Sequence, residues 1–213
     1  MQNSILKEQM DNRRLYELVK RVIDIICSLV GLIVLMPILF VVAIIIKIES
    51  KGPIIFAQDR VGKDSKLFKM YKFRSMVSNA EEIKENLESM NERTGPMFKI
   101  KNDPRITHIG RIIRKASIDE LPQLVNILKG DMSIVGPRPS LPKEVAAFDG
   151  WMMQRLTVKP GLTCYWQVGG RNDIEFYEWM KLDIKYVQER KLIVDAKLIL
   201  KTFYVLLGDK NAS

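Results

Sequence analysis

Sulfur and imidazole are scarce in this sequence: 213 residues hold two cysteines, Cys27 and Cys164, and one histidine, His108. Two distant cysteines, one inside an apolar run, make neither a disulfide framework nor a zinc spacing, so a reducing compartment is the default. A lone histidine completes no metal site, and His108 reads as structural. Internal repeats, low-complexity tracts and long linkers are missing too, and the length allows one compact domain with an appendage. With 47% hydrophobic and 28% charged residues, the chain is not disordered. Acidic residues are in deficit, 25 against 34 basic ones, for a net charge of +9. That balance suits nucleic acid, an anionic membrane surface or a phosphorylated substrate, and composition alone does not choose among them.

Long hydrophobic runs are also few, but the one present sets the class. Residues 22–46 carry a single charge, Asp24. As a straight helix this run reaches about 37 Å, enough to cross a hydrocarbon core of about 30 Å. It is too long for the apolar part of a signal peptide, and no small-residue cleavage site follows it. Pro37 removes the bond to the carbonyl of Ile33 and divides the run into a longer and a shorter limb. Lys7, Arg13, Arg14, Lys20 and Arg21 precede the run, and Lys47, Lys51, Arg60, Lys63 and Lys66 follow it. This balance gives the positive-inside rule no direction to choose. A helix–break–helix hairpin that returns both ends to the cytosol explains it; an ordinary kinked span is the alternative. Asp24 is expected near the interface, paired with Lys20 and Arg21 at helical spacing.

Beyond the run, apolar stretches on either side of Gly62 predict a β-hairpin within residues 52–76. Val61-Gly62-Lys63-Asp64 is not a phosphate loop, because the second glycine spacing and the Ser/Thr after lysine are missing. Residues 79–93 predict a surface helix with Ile83, Leu87 and Met90 on one face. Residues 107–115 predict a second amphipathic helix, with Ile109, Ile112, Ile113 and Ala116 opposite Arg111, Arg114 and Lys115. A third opens at Ser117 and stops at Gly130. Ser117 and Glu120 have capping-box spacing; alternatively Pro122 marks the first helical position and leaves Asp119 and Glu120 just before the helix. Gly136-Pro137-Arg138-Pro139 is a stiff loop presenting one arginine. Residues 173–190 and 195–206 predict two further helices, the last suited to lie on a bilayer surface and equally compatible with core packing.

Six motifs occur in order: Lys72-Phe73-Arg74-Ser75-Met76, Asp119-Glu120-Leu121-Pro122-Gln123-Leu124, Gly130-Asp131-Met132-Ser133, Gly136-Pro137-Arg138-Pro139, Lys159-Pro160-Gly161-Leu162-Thr163 and Gly169-Gly170-Arg171-Asn172. Each is weak alone. The ordered set, over about residues 16–207, resembles the bacterial sugar transferase family, the monotopic polyprenyl-phosphate phosphoglycosyl transferases, in its catalytic-domain-only form. The resemblance implies an α+β fold: a re-entrant membrane helix over 22–46 broken at Pro37, after an amphipathic segment 1–21. A small, mainly helical cytosolic catalytic domain, 47–207, follows with a short β-hairpin and interfacial amphipathic helices, then a tail, 208–213. It places the chain at the bacterial inner membrane with the catalytic domain facing the cytosol.

The same resemblance implies the chemistry. Asp119 matches the nucleophile, which attacks the β-phosphorus of a UDP-sugar and later yields the phosphosugar to undecaprenyl phosphate. Glu120 matches the assisting acid. Two phosphates meeting a carboxylate require cations: Mg2+ on Asp119 and Glu120, and arginine forks drawn from Arg74, Arg111, Arg114, Arg138 and Arg171, with Arg138 and Arg171 foremost. Residues 167–172 lean towards a hexose such as galactose or glucose. Membrane lipids are implied partners, nucleic acid is not, and a homo-oligomer stays open. Three competing classes are weaker. A polytopic lipid-phosphate transferase needs more spans, and a tethered nucleic-acid binder would carry a repelling acidic pair. A non-catalytic membrane scaffold leaves the acidic, basic and proline motifs without a role.

Overall fold

The computed structural model describes residues 2–87, 100, 102–169 and 174–208. Its first element, α1 (Gln2–Glu49), is one helix with Pro37 inside it. The two limbs expected at Pro37 are therefore not separated by a gap in the helix. Proline removes one rung, and the flanking residues keep helical geometry because unpaired backbone groups are costly in apolar surroundings. α1 is the one helix among the described residues long and apolar enough to cross a membrane.

The hairpin forms as its pattern predicts. β1 (Ile55–Val61) and β2 (Leu67–Phe73) pair antiparallel around Gly62, with Val61 opposite Leu67 and Ile55 opposite Phe73. α2 (Ala80–Asn86) covers the described start of the surface helix, with Ile83 and Leu87 half-buried; Met90 lies outside the described residues. α3 (His108–Lys115) begins at Thr107, whose hydroxyl accepts the Gly110 N–H at 3.0 Å. Its apolar face is narrower than expected. Ile113 is buried and Ile109 packs beside it, but Ile112 and Ala116 are exposed. α4 (Gln123–Lys129) ends at Gly130 in the left-handed conformation, φ 91°.

β3 (Ser133–Val135) pairs in parallel with β4 (Gly161–Thr163), with Ser133 opposite Gly161 and Val135 opposite Thr163. Here two backbones pass so closely that a Cβ on Gly161 would strike the Gly136 nitrogen, and one on Gly136 the Lys159 carbonyl. Between these strands lies α5 (Pro142–Val145); after them come α6 (Tyr165–Val168), α7 (Phe176–Glu189) and α8 (Leu192–Gly208). α8 starts three residues before the predicted 195. Leu198 points into the core while Leu200, Phe203 and Tyr204 stay exposed.

The rest of the fold holds α1 on both sides of its apolar run. Near the N-terminal end, Tyr16 and Lys20 donate to Asp195 on α8 at 2.9 and 2.8 Å, and Arg21 donates to the Ile127 and Leu128 carbonyls closing α4. Asp24 is buried and accepts from the Ser133 hydroxyl and the Ile134 N–H at 3.1 and 3.0 Å. Its expected pairing with Lys20 and Arg21 is thus corrected: both cations have other partners, and β3 supplies the donors. In the middle, Leu32 packs on Met70, Leu124, Ile127 and Met132. At the far end Val42 and Ile46 bury against Phe73 and Ile113, and Glu49 accepts the Ile109 N–H at 3.1 Å. The opposite face, including Val30, Ile33, Val34, Met36, Phe40 and Val41, is apolar and exposed.

Candidate active site

Three segments meet beside β2. The strand contributes Lys72, whose alternation with Arg74 sends both to the same side. The turn between α3 and α4 contributes Asp119 and Glu120, and the loop after β3 contributes Arg138. The chain leaves α3 through Ser117 at φ 54° and ψ 20°, a left-handed conformation that costs a non-glycine residue on the order of 1–3 kcal/mol. A 3-10 turn, Ile118–Glu120, follows, and Pro122 then caps α4. The Ser117 side chain makes no cap bond, so the capping box does not form. Both carboxylates stand just ahead of α4, with Pro122 at its N-cap rather than at its first helical position, and no Ser117 side-chain cap holds them.

Glu120 Oε1 receives the Lys72 ammonium at 2.6 Å and an Arg138 N–H at 3.5 Å. Asp119 is 6% exposed. Burial pushes its carboxyl above the usual range, Lys72 pulls it back, and Glu120 adds to the rise, while Arg114 and Arg138 oppose it. Burial likewise depresses the Lys72 ammonium, with Glu120 as its main support. The carboxylates and lysine thus hold one another's charge in a poorly solvated corner.

That corner opens into a cleft of about 370 Å3, lined among others by Phe56, Arg60, Lys72, Arg114, Asp119 and Arg138. A volume of roughly 300–1,000 Å3 is what small-molecule sites have. The expected arginines fall into four situations. Arg138 and Arg114 line the cleft. Arg74 lies on its wall, but its guanidinium donates to the Ser50 and Lys51 carbonyls and the Ser50 hydroxyl at 2.7–2.9 Å, closing the end of α1. Arg111 is exposed on α3 and is not among the described residues lining the cleft. Arg171 lies outside the described residues.

Among the described residues no group of three His, Cys, Asp or Glu side chains could enclose a metal ion. Asp119 and Glu120 offer two hard oxygen donors beside a cleft. Such a set fits magnesium, which keeps several waters and completes its shell with substrate oxygens.

Four residues of this site had no role assigned from sequence. Lys72 lies inside one of the six motifs, yet nothing local points to Glu120, 48 residues on. Arg60 had been counted only as a flanking charge; it donates to the Pro139 carbonyl at 3.0 Å. Arg155 and Asp183 form a buried ion pair at 2.6 Å, and no spacing signal links them. Burial lifts the Asp183 carboxyl to about 6 against the pull of Arg155, which leaves it mostly ionised at neutral pH.

Comparison with known proteins adds an independent line. The sequence model of a family described as bacterial sugar transferase matches residues 15–209. The chain is 47% identical to a galactosyl transferase, CpsE, of Streptococcus agalactiae serotype III, over 88% of this chain and 42% of that protein. It is 42% identical to an undecaprenyl-phosphate galactose phosphotransferase of Salmonella typhimurium, over 94% of this chain and 43% of that protein. It is 36% identical to the exopolysaccharide production protein ExoY of Rhizobium meliloti, over 86% and 83%. The chain therefore spans about two fifths of the length of the first two and most of the third.

Proposed function

The chain belongs to the bacterial sugar transferase family, and from that premise we propose that it is a phosphoglycosyl transferase. It moves a hexose-1-phosphate from a UDP-sugar to undecaprenyl phosphate and releases UMP, at an early membrane step of exopolysaccharide, capsule, O-antigen or glycoprotein glycan assembly. In the first step an Asp119 carboxylate oxygen bonds to the β-phosphorus. The bond between that phosphorus and the bridging oxygen breaks, and UMP leaves with its electron pair. In the second, an oxygen of the lipid phosphate attacks the same phosphorus, and the aspartyl–phosphorus bond breaks to restore the carboxylate.

The observation that carries this reading is Asp119 itself. It is buried at the end of a cleft, on a strained turn, with Lys72, Arg114 and Arg138 around it. Lys72 holds Glu120 in place, and Arg114 and Arg138 offer planar forks to the transferring phosphate. Magnesium, if held by Asp119 and Glu120, supplies charge neutralisation for the diphosphate. Chelation with EDTA is then expected to abolish transfer and added magnesium to restore it; full turnover without metal removes the ion from the scheme.

The same reading makes α1 re-entrant, at the cytosolic face of the inner membrane. Its support is that α1 binds one body on both sides of its apolar run, through Tyr16 and Lys20 before it and Glu49 after it. A straight span would carry one end about 30 Å away, across the hydrocarbon. Cysteines placed at Arg14 and Lys51 are expected to resist labelling from outside intact cells; labelling of either one from outside shows a span.

Incubation with labelled UDP-galactose or UDP-glucose, without lipid, tests the covalent step. A phosphosugar adduct is expected on the peptide containing Asp119. An adduct on Glu120, or wild-type transfer by Asp119→Asn, overturns the assignment.

A further inference from the structure

We propose that Arg155, held by Asp183, and Arg60 form a brace that fixes the backbone of residues 136–139 and thereby aims Arg138; all three are positioning residues. This rests on the reading of the cleft as a phosphosugar-transfer site.

The loop has an unusual backbone problem. Pro137 and Pro139 have no N–H, so the segment donates no ladder bonds at those residues, and beyond Pro137 its carbonyls take donors from outside the β3–β4 pair. Four successive carbonyls do so from four different places. Pro137 accepts from the Gly161 N–H at 2.9 Å, Arg138 from the Arg155 guanidinium at 2.7 Å, Pro139 from Arg60 at 3.0 Å, and Ser140 from the Val61 N–H at 2.9 Å. Arg155 also donates to the Ser140 hydroxyl. Two of these four donors are side chains. They grip the residues on either side of the bond that leaves Arg138.

The Arg138 side chain, by contrast, is weakly tethered. Its contact with Glu120 is 3.5 Å long, and its guanidinium lies 5.9 Å from the Trp166 ring centre. Its position is therefore set from the backbone side. A shift of about 1 Å at such a group can lower a rate roughly 100-fold.

Arg155 is built for that work. Its side chain is 1% exposed and its partner Asp183 is fully buried, 2.6 Å away. Phe148 and Trp179 flank the guanidinium at 5.4 and 5.5 Å. A buried ion pair is weak support for stability alone, because well-packed apolar residues often serve as well. What apolar residues do not supply is a forked donor that reaches a backbone carbonyl and a hydroxyl together. Arg60 does the same from the cleft side, donating to Gln58 as well as to Pro139.

Two measurements on the full chain test the brace. The first is a double-mutant cycle of transfer rates with Arg155→Lys, Asp183→Asn and Arg138→Ala. Each of the first two is expected to lower kcat about 10- to 100-fold on its own, and less than about 3-fold when Arg138 is already alanine. Effects that multiply in full in the Arg138→Ala background overturn the proposal. Where Arg155→Lys fails to fold, Ser140→Ala and Arg60→Lys complete the cycle. The second does not depend on activity, and so separates failure of the brace from failure of the assigned reaction. A nitroxide is attached at Arg138→Cys with Cys27→Ala. Its spectrum is expected to sharpen when Asp183→Asn is added and to stay unchanged with Lys181→Ala on the exposed face of α7. No sharpening with Asp183→Asn overturns the brace even if transfer falls.

Discussion

The cleft wall and the outer face of α1 are specified in opposite ways. Around the cleft, Lys72, Glu120, Arg138, Arg155 and Asp183 have named partners at stated distances. Along the outer face, Ile33, Val34, Met36 and Phe40 are exposed and need only be apolar. The first surface depends on identity residue by residue, the second on composition. Substitutions of similar size should therefore have very different consequences in the two places.

The largest effect is expected at Asp119. In the proposed reaction Asp119→Asn keeps the shape and removes the attacking oxygen, so transfer should fall by on the order of 10³-fold or more. The thermal midpoint should hold or rise, because a buried charge is lost. Membrane-fraction assays beside a melting curve check both parts.

Next comes Lys72→Met. It takes the nearest cation from Glu120 and Asp119, and turnover should drop roughly 100-fold. It also makes a pH prediction with a definite sign. The proposed nucleophile must be ionised, and burial places the Asp119 carboxyl above the ordinary range. The wild-type rate should thus fall as pH is lowered through that raised value, and removing Lys72 should move the fall to higher pH. A pH–rate profile whose acid limb stays in place would break the link between lysine and nucleophile.

Asp24→Ala tests the inner face of the same helix. It strips the Ser133 hydroxyl and the Ile134 N–H of their acceptor, at a cost of about 1–3 kcal/mol in unfolding experiments. Smallest of all is Val34→Leu on the outer face, expected to stay within about 0.5 kcal/mol and to leave transfer unchanged. A large loss there would show that the outer face has a specific partner after all.

Local signals were legible in the sequence, and distant ones were not. Gly62 and its flanking strands, Thr107 at the start of α3, and Gly130 at the end of α4 are short-range features, and each stands where its chemistry places it. At the carboxylates two local signals competed. Ser117 offers a cap while Pro122 offers a helix start; the left-handed turn at Ser117 rules out the cap, and Pro122 stands at the N-cap, one residue before α4 begins. Asp24 had cations at helical spacing, yet α4 and Asp195 hold those cations and β3 holds the acid. Ile112 and Ala116 carried a helical period, but α3 buries only the stripe through Ile109 and Ile113. The Lys72–Glu120 and Arg155–Asp183 pairs bring together elements whose adjacency no window of sequence contains.

Those long separations bear on how the protein is made. Arg60 waits 79 residues for Pro139, and Lys20 waits 175 for Asp195. A chain emerging from the ribosome exposes α1 before α8, with the apolar length of α1 complete and its anchor on α8 not yet synthesised. Arg155 cannot be neutralised until Asp183 follows, 28 residues later. The order of synthesis therefore imposes a stage in which the apolar helix is present and the cleft is incomplete. The brace behind the cleft closes only once α7 has followed.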